Sequence, residues 1–482
     1  MPASIYSVGS GSEKCMLNYK NGPSIFDGCE SMVICPLDYR YGREEMKAIL
    51  SEDNRLHMQL KVEAALALAH AKVGDFTLAD ARLIASACEP HKVSLERVKE
   101  IEQETKHDVM AMVKAITEKA GKAGKYVHLG ATSNDIVDTA TALQIRSALD
   151  LIEDDIDRLI LTLGRLAKKY RNTIMVARTH GQFAIPTTFG FKIAGYMMEL
   201  LRHKERLREV RNRAAIGKMS GAVGTGAAFG ANFKQIQVEV MKQLDIGYEE
   251  AATQIVCRDR YAEVVGLLAL ICTSCERYAT EIRNLQRSEV QEVAEAFDSE
   301  KQVGSSTMAQ KKNPITSENV CGLARIARGF VYPALENMIL WHERDLTNSS
   351  AERFIIPHIF VLTDDILTKT DEVFSNLAVR PANMRRNIES SNGLIMAEAV
   401  MIALVDKGIG RQDAHAIVRK ASLEAEKNGV NLMDALLATK AIKGVMSEKE
   451  LTKAMDPRNY VGMAPKMVDE VVLLAERRIR ER

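Results

Sequence analysis

Leu149-Asp150-Leu151-Ile152-Glu153-Asp154-Asp155-Ile156-Asp157-Arg158-Leu159-Ile160-Leu161-Thr162-Leu163-Gly164-Arg165-Leu166 decides the fold class of this chain. Leu149, Ile152, Ile156, Leu159, Leu163 and Leu166 step by three and four residues, which lays an apolar seam along one face of a helix. Leu268, Ile271, Cys275, Tyr278, Ile282 and Leu285 repeat the pattern. No proline stands between Pro90 and Pro186, or between Pro186 and Pro314. An interior proline costs a helix about 3 kcal/mol, so such tracts suit long helices. Seams with heptad-like spacing predict bundle packing at shallow crossing angles. The expected fold is therefore all-α, in three regions. Residues 1–131 form an N-terminal extension and helical domain, 132–378 a central long-helix bundle, and 379–482 a C-terminal helical domain. Strand signals are weak, and the β-prone pieces at 126–129 and 173–177 read as entries to loops. Residues 1 to about 35, rich in Gly, Ser, Asn and Cys and without periodicity, read as a partly ordered extension.

The bulk numbers exclude several classes of partner. The 482 residues are 46% hydrophobic and 27% charged, and 65 basic side chains against 64 acidic ones leave a net charge of +1. No global field favours nucleic acid or an anionic membrane, so anion binding has to be local. The longest uncharged apolar run, 264–275, is too short to span a bilayer and is flanked by Glu263 and Glu276. The first fifteen residues lack the apolar stretch of a targeting signal. Eight scattered cysteines read as reduced thiols, which predicts a cytoplasmic location. Cys272 and Cys275 form one C-x-x-C inside a helical pattern, with no second pair, and read as core thiols rather than a metal or redox site. Gly221-Ala222-Val223-Gly224-Thr225-Gly226 lacks dinucleotide-binding spacing and follows no apolar strand.

Five polar segments interrupt the helical pattern. They are Thr105-Lys106-His107-Asp108; His128-Leu129-Gly130-Ala131-Thr132-Ser133-Asn134-Asp135; Arg178-Thr179-His180-Gly181-Gln182; Gly304-Ser305-Ser306-Thr307-Met308-Ala309-Gln310-Lys311-Lys312-Asn313-Pro314; and His342-Glu343-Arg344-Asp345, followed by Ser349, Ser350 and Arg353. Any one of them reads equally well as a turn or a cap. The fourth resembles the signature loop of the fumarase/aspartase superfamily, whose members break C–N or C–O bonds and release fumarate. That reaction removes a weakly acidic C–H beside a carboxylate and protonates the leaving group. It passes through an aci-carboxylate, with two negative charges on one carboxyl group. It calls for a base, an acid and preorganised donors on the carboxylates. His180 titrates in the right range for a proton donor. Lys311 and Asn313 supply donors for carboxylate oxygens.

From Asp38 to the C-terminus the chain resembles the adenylosuccinate lyase family of that superfamily. The resemblance implies residue roles. Arg40 and Tyr41 match the family's N-terminal Arg-Tyr pair, which binds the nucleotide. Thr105 to Asp108 matches its T-x-H-D motif, with Lys106 and Asp108 on the substrate and His107 assisting through the phosphate and the acid. Thr132 and Ser133 contact the succinyl carboxylates. His180, in R-T-H-G-Q, is the general acid. Ser305 is the base, and Glu318 orients His107 or His180. Arg344, Ser349 and Arg353 hold the nucleotide phosphate. Gln254, Ser306, Asn313 and Asn319 complete the substrate contacts.

The implied reaction is β-elimination of fumarate from adenylosuccinate to give AMP. A second implied substrate is the succinylated aminoimidazole carboxamide ribotide of purine biosynthesis. No metal and no organic cofactor are implied. A homotetramer is, each site drawing motifs from three subunits. The runner-up is argininosuccinate lyase, favoured by Gln310, or another fumarate-releasing member. A scaffold without activity would be expected to lack Ser305, His180 or Lys311, and all three are present.

Overall fold

Ser51, Thr77 and Ser94 each accept a backbone N–H from three residues ahead, which starts three helices: α1 (Glu52–Val73), α2 (Leu78–Ala87) and α3 (Leu95–Thr105). In the computed structural model, residues 34–297, 307–308 and 310–481 are described. The chain divides into two units, Met1–Tyr41 and Gly42–Arg482. In the first, Pro36–Tyr39 makes one helical turn with proline in a position where its missing N–H is no loss, and the Arg40 guanidinium lies 5.9 Å from the Tyr41 ring centroid.

In the second unit, α4 (Asp108–Ala120) joins α1 to α3 around a core that includes Leu66, Ile84, Met112 and Ile116. The long helices follow. They are α5 (Ser133–Lys169, 37 residues), α6 (Phe189–Ala214), α7 (Asp259–Gln286), α8 (Ile315–Gly329) and α9 (Thr347–Ser375). At 1.5 Å per residue α5 spans about 55 Å. It packs on α6 and α9, while α7 packs on α6, α8 and α9. Both apolar seams face inward. Leu149, Ile152, Ile156, Leu159 and Leu163 are buried, and so are all six seam residues of α7. Cys272 and Cys275 lie fully inside this bundle, where burial pushes the Cys272 thiol up to about 12. The last helix, α10 (Ala464–Arg480), returns to pack on α5 and α6. Among the described residues no single helix is long and apolar enough to cross a membrane.

The 173–177 piece departs from the loop expected there. β1 (Ile174–Thr179) pairs antiparallel with β2 (Gln182–Thr188). Thr179 pairs with Gln182, so His180 and Gly181 alone make the turn, with φ of 54° and 76°. Two successive positive φ values give a turn whose twist matches that of paired strands. The turn residues therefore decide what the weak strand propensity left open. A second small sheet pairs β3 (Val293–Ala294) with β4 (Ala378–Val379).

Candidate active site

Lys106 ends α3 in the left-handed conformation (φ 54°), its N–H donating to the Glu102 carbonyl at 2.8 Å. The chain then turns through His107, which caps α4. The His107 Nδ1 accepts the Met110 N–H at 3.3 Å, so a neutral ring carries its proton on Nε2. Asp108 sits in the first turn of α4, where a carboxylate is favoured by the helix dipole, and lies 3.4 Å from an Arg353 Nη of α9. Thr132 starts α5 through a reciprocal cap with Asp135, the Thr132 N–H donating to Asp135 Oδ2 at 2.8 Å. This places Ser133 at a helix N-terminus, a natural position for an anion.

Lys106, His107, Asp108, Ser133, Arg344, Ser349 and Arg353 line one cavity of about 470 Å³. Two arginines reach it on different electrostatic terms. Arg258 is buried and forks onto both Asp138 (2.8 and 2.9 Å) and Glu352 (2.7 and 3.2 Å), so its charge is cancelled. Arg344 is held by two neutral amides, Asn134 Oδ1 at 2.8 Å and Gln254 Oε1 at 3.2 Å. Burial, the largest influence, pulls the Arg344 pKa below the ordinary guanidinium value. Arg344 thus keeps a positive charge that its bonded neighbours do not neutralise, which suits it to an anion. Gln254 accepts from Arg344 and does not itself line that cavity.

His180 stands exposed at the tip of the β1–β2 hairpin. Arg178 anchors the hairpin by a two-pronged contact with buried Glu292, at 2.9 and 3.0 Å. Gly181, Gln182 and Phe183 form a second cavity with Ser391 and Asn392 of the C-terminal region. Lys311, Asn313 and Glu318 share a third cavity, of about 660 Å³, with Arg283 and Arg287. Asn319 follows in the first turns of α8, half-buried. Ser305 and Ser306 lie outside the described residues.

The three cavities have no lining residue in common. Within one chain, then, Glu318 accompanies Lys311 and Asn313 but not His107 or His180. Arg40 and Tyr41 belong to the separate first unit. Sequence reading missed Glu292 and Glu295. They sit in an ordinary charged turn after α7, and nothing local marks them as partners of distant elements. Among the described residues no three His, Cys, Asp or Glu side chains are placed to hold a metal ion.

A family profile described as "Lyase" matches residues 39–329, and one described as "Adenylosuccinate lyase C-terminus" matches 393–471. The adenylosuccinate lyase of Pyrococcus abyssi is 48% identical over 445 residues, covering 92% of this chain and 98% of that protein. The chain belongs to the adenylosuccinate lyase family. It is accordingly a lyase, as the resemblance implied. The adenylosuccinate lyase of Archaeoglobus fulgidus is 47% identical over 441 residues, with 92% and 98% covered. Among solved structures, a fumarate lyase from Mesorhizobium sp. BNC1 superposes with a TM-score of 0.82 at 34% identity, covering 89% of this chain and 98% of that one. The 3-carboxy-cis,cis-muconate lactonizing enzyme from Pseudomonas putida gives 0.83 at 31%, with 92% and 99% covered. The lyase family therefore shares its helical architecture with this chain over nearly its whole length.

Proposed function

We propose that this chain eliminates fumarate from adenylosuccinate to give AMP, and from the succinylated aminoimidazole carboxamide ribotide by the same chemistry. The observation that carries the reading is the match to the Pyrococcus abyssi enzyme across nearly the full length of both proteins. The uncancelled charge of Arg344 beside Ser349 and Arg353 supports a phosphorylated substrate.

In this reading Ser305 removes the proton beside the succinyl carboxylate. The electron pair moves into that carboxyl group as an aci-carboxylate, held by donors from Lys311 and Asn313, with Ser306 and Asn319 assigned to further substrate contacts. The C–N bond then breaks, and His180 gives its proton to the departing nitrogen. Lys106, His107, Thr132 and Ser133 hold the anionic groups, and Asp108 holds Arg353. No step draws on a metal or organic cofactor. The active assembly is a homotetramer in which each site takes one cluster from each of three chains. The disjoint cavities support this, since among the described residues the phosphate groups, the His180 hairpin and the Lys311–Asn313 segment line no cavity together. A cytoplasmic location fits the free, buried thiols of Cys88, Cys272 and Cys275.

The test is absorbance-monitored turnover of adenylosuccinate with argininosuccinate in parallel. Turnover of the first alone is expected, and turnover of the second alone would overturn the phosphate assignment. Arg353→Ala should raise KM for adenylosuccinate about 10- to 100-fold, the scale of losing one charge-assisted contact.

A further inference from the structure

Pro314 is the N-cap of α8 and offers no side chain to satisfy the first N–H groups of that helix. Glu295 supplies the missing acceptors from outside. Its Oε1 accepts the Ser317 N–H at 2.7 Å and its Oε2 the Thr316 N–H at 3.1 Å, a carboxylate at the positive end of a helix. The Glu295 N–H donates to Gln286 Oε1 at 2.9 Å, and the same amide donates from Nε2 to the Lys312 carbonyl at 3.1 Å. Asn313 and Pro314 are therefore bracketed on both sides, with Lys311 one residue before the Lys312 carbonyl that Gln286 holds.

Three residues earlier, Glu292 is fully buried. Its carboxylate takes the fork from Arg178 and the Asn387 Nδ2 at 2.8 Å. Its own N–H donates to the Leu285 carbonyl and its carbonyl accepts the Arg380 N–H, both at 2.9 Å. Arg178 in turn lies 5.3 Å from the Phe183 ring centroid, across the two-residue turn that presents His180. A buried carboxylate so fully bonded has one low-energy arrangement, and it fixes the hairpin's base.

We propose that the strap 292–295 positions two catalytic carriers of one chain, Glu292 holding the His180 hairpin and Glu295 holding the Lys311–Asn313 segment. Both glutamates are positioning residues, acting through Arg178 and through the start of α8. The inference rests on the roles given to His180 and Lys311 above. Since those two groups serve different sites of the tetramer, each glutamate has to fail in the complementation group of the carrier it holds.

The experiment uses four full-length variants: E292Q, E295Q, H180A and K311A. Glu292→Gln alone should lower kcat about 10- to 100-fold with KM little changed, the scale of a misplaced reacting group. Glu295→Gln should lower kcat and also raise KM, because its segment binds substrate. After subunit exchange, E292Q should regain activity with K311A and not with H180A, and E295Q should do the reverse. A glutamate that only stabilises the fold has no reason to follow this pattern. Recovery of either variant with both partners or with neither, while H180A and K311A complement each other, would overturn the strap. If that control pair stays inactive, shared sites fail instead. The strap is then judged on the single variants, and kcat within about twofold of the native enzyme at unchanged thermal midpoint rejects it. Should E292Q or E295Q not fold, Arg178→Lys and Gln286→Leu take their places, since the first keeps a charge without the fork and the second removes the bridging amide.

Discussion

Lys218 and Asp135 are both fully buried and meet at 2.5 Å. Asp135 also accepts the N–H groups of Thr132, Ser220 and Gly221, at 2.8, 2.9 and 3.0 Å. One carboxylate thus ties the glycine-rich stretch after Lys218 to the start of α5, where Ser133 lines the cavity shared with Arg344 and Arg353. Replacing Lys218 by Met would leave a buried negative charge supported only by amides. We expect a loss of about 3 kcal/mol, the lower end for breaking a buried pair, because the three N–H groups and the helix dipole remain. Thermal unfolding checks this, and an unchanged midpoint would mean that the amides alone hold the carboxylate. The residue types in 132–135 are readable as a cap from sequence. Their partner 83 positions away is not, because nothing local to Lys218 marks it as buried.

At the scale of elements, α6 and α7 are joined by a polar relay inside their apolar contact. Arg206 donates to His203 Nδ1 at 3.3 Å, His203 Nε2 donates to Ser274 Oγ at 2.8 Å, and Ser274 donates to Glu199 at 2.7 Å. Burial, reinforced by Arg206 and Arg202 and opposed by Glu199, holds the His203 pKa down at about 4. A depressed histidine is neutral in the folded protein and protonates first in the unfolded chain. Its contribution is intact above the ordinary value near 6.5 and is lost as pH falls from there through about 4, to a total on the order of 3 kcal/mol. His203→Gln keeps one donor and one acceptor without the charge. Its stability should therefore fall less steeply than the native protein's between pH 6.5 and 4. Parallel slopes in unfolding series at several pH values would place the acid sensitivity elsewhere. Elements also show where proline fails as punctuation, since α9 runs through Pro357. Packing against α5, α7 and α8 outweighs the lost hydrogen bond there. Gly190 shows a related override. A Cβ at that position would lie 2.4 Å from the Ala167 carbonyl oxygen, so glycine lets the start of α6 pass close to the end of α5.

For the whole molecule, the decisive feature is that Arg344 and Arg353, the His180 hairpin and the Lys311–Asn313 segment of one chain share no cavity. In a tetramer with shared sites, a 1:1 mixture of inactive H180A and K311A chains should recover activity. A random mixture gives an intact acid and an intact signature segment in about one quarter of sites, the product of two independent halves. Recovery well above background after demonstrated exchange is the expected result. None at all would mean sites built within single chains.

The sequence by itself determined the class of fold, the long helices and the reaction family. Those depend on local periodicity and on short motifs, where neighbours in the chain are neighbours in space. It also named Arg344, Ser349, Arg353 and the T-x-H-D turn, which the fold gathers around one cavity. Only the tertiary structure decided that Arg258 is neutralised and Arg344 is not. Both are arginines in polar segments, and the difference lies in Glu352 and Asp138 against Asn134 and Gln254. It likewise turned 174–177 into part of a strand, and it joined Arg178 to Glu292 across 114 positions. Charge cancellation and strand pairing are set by partners distant in the chain, and no local pattern encodes which partners those will be.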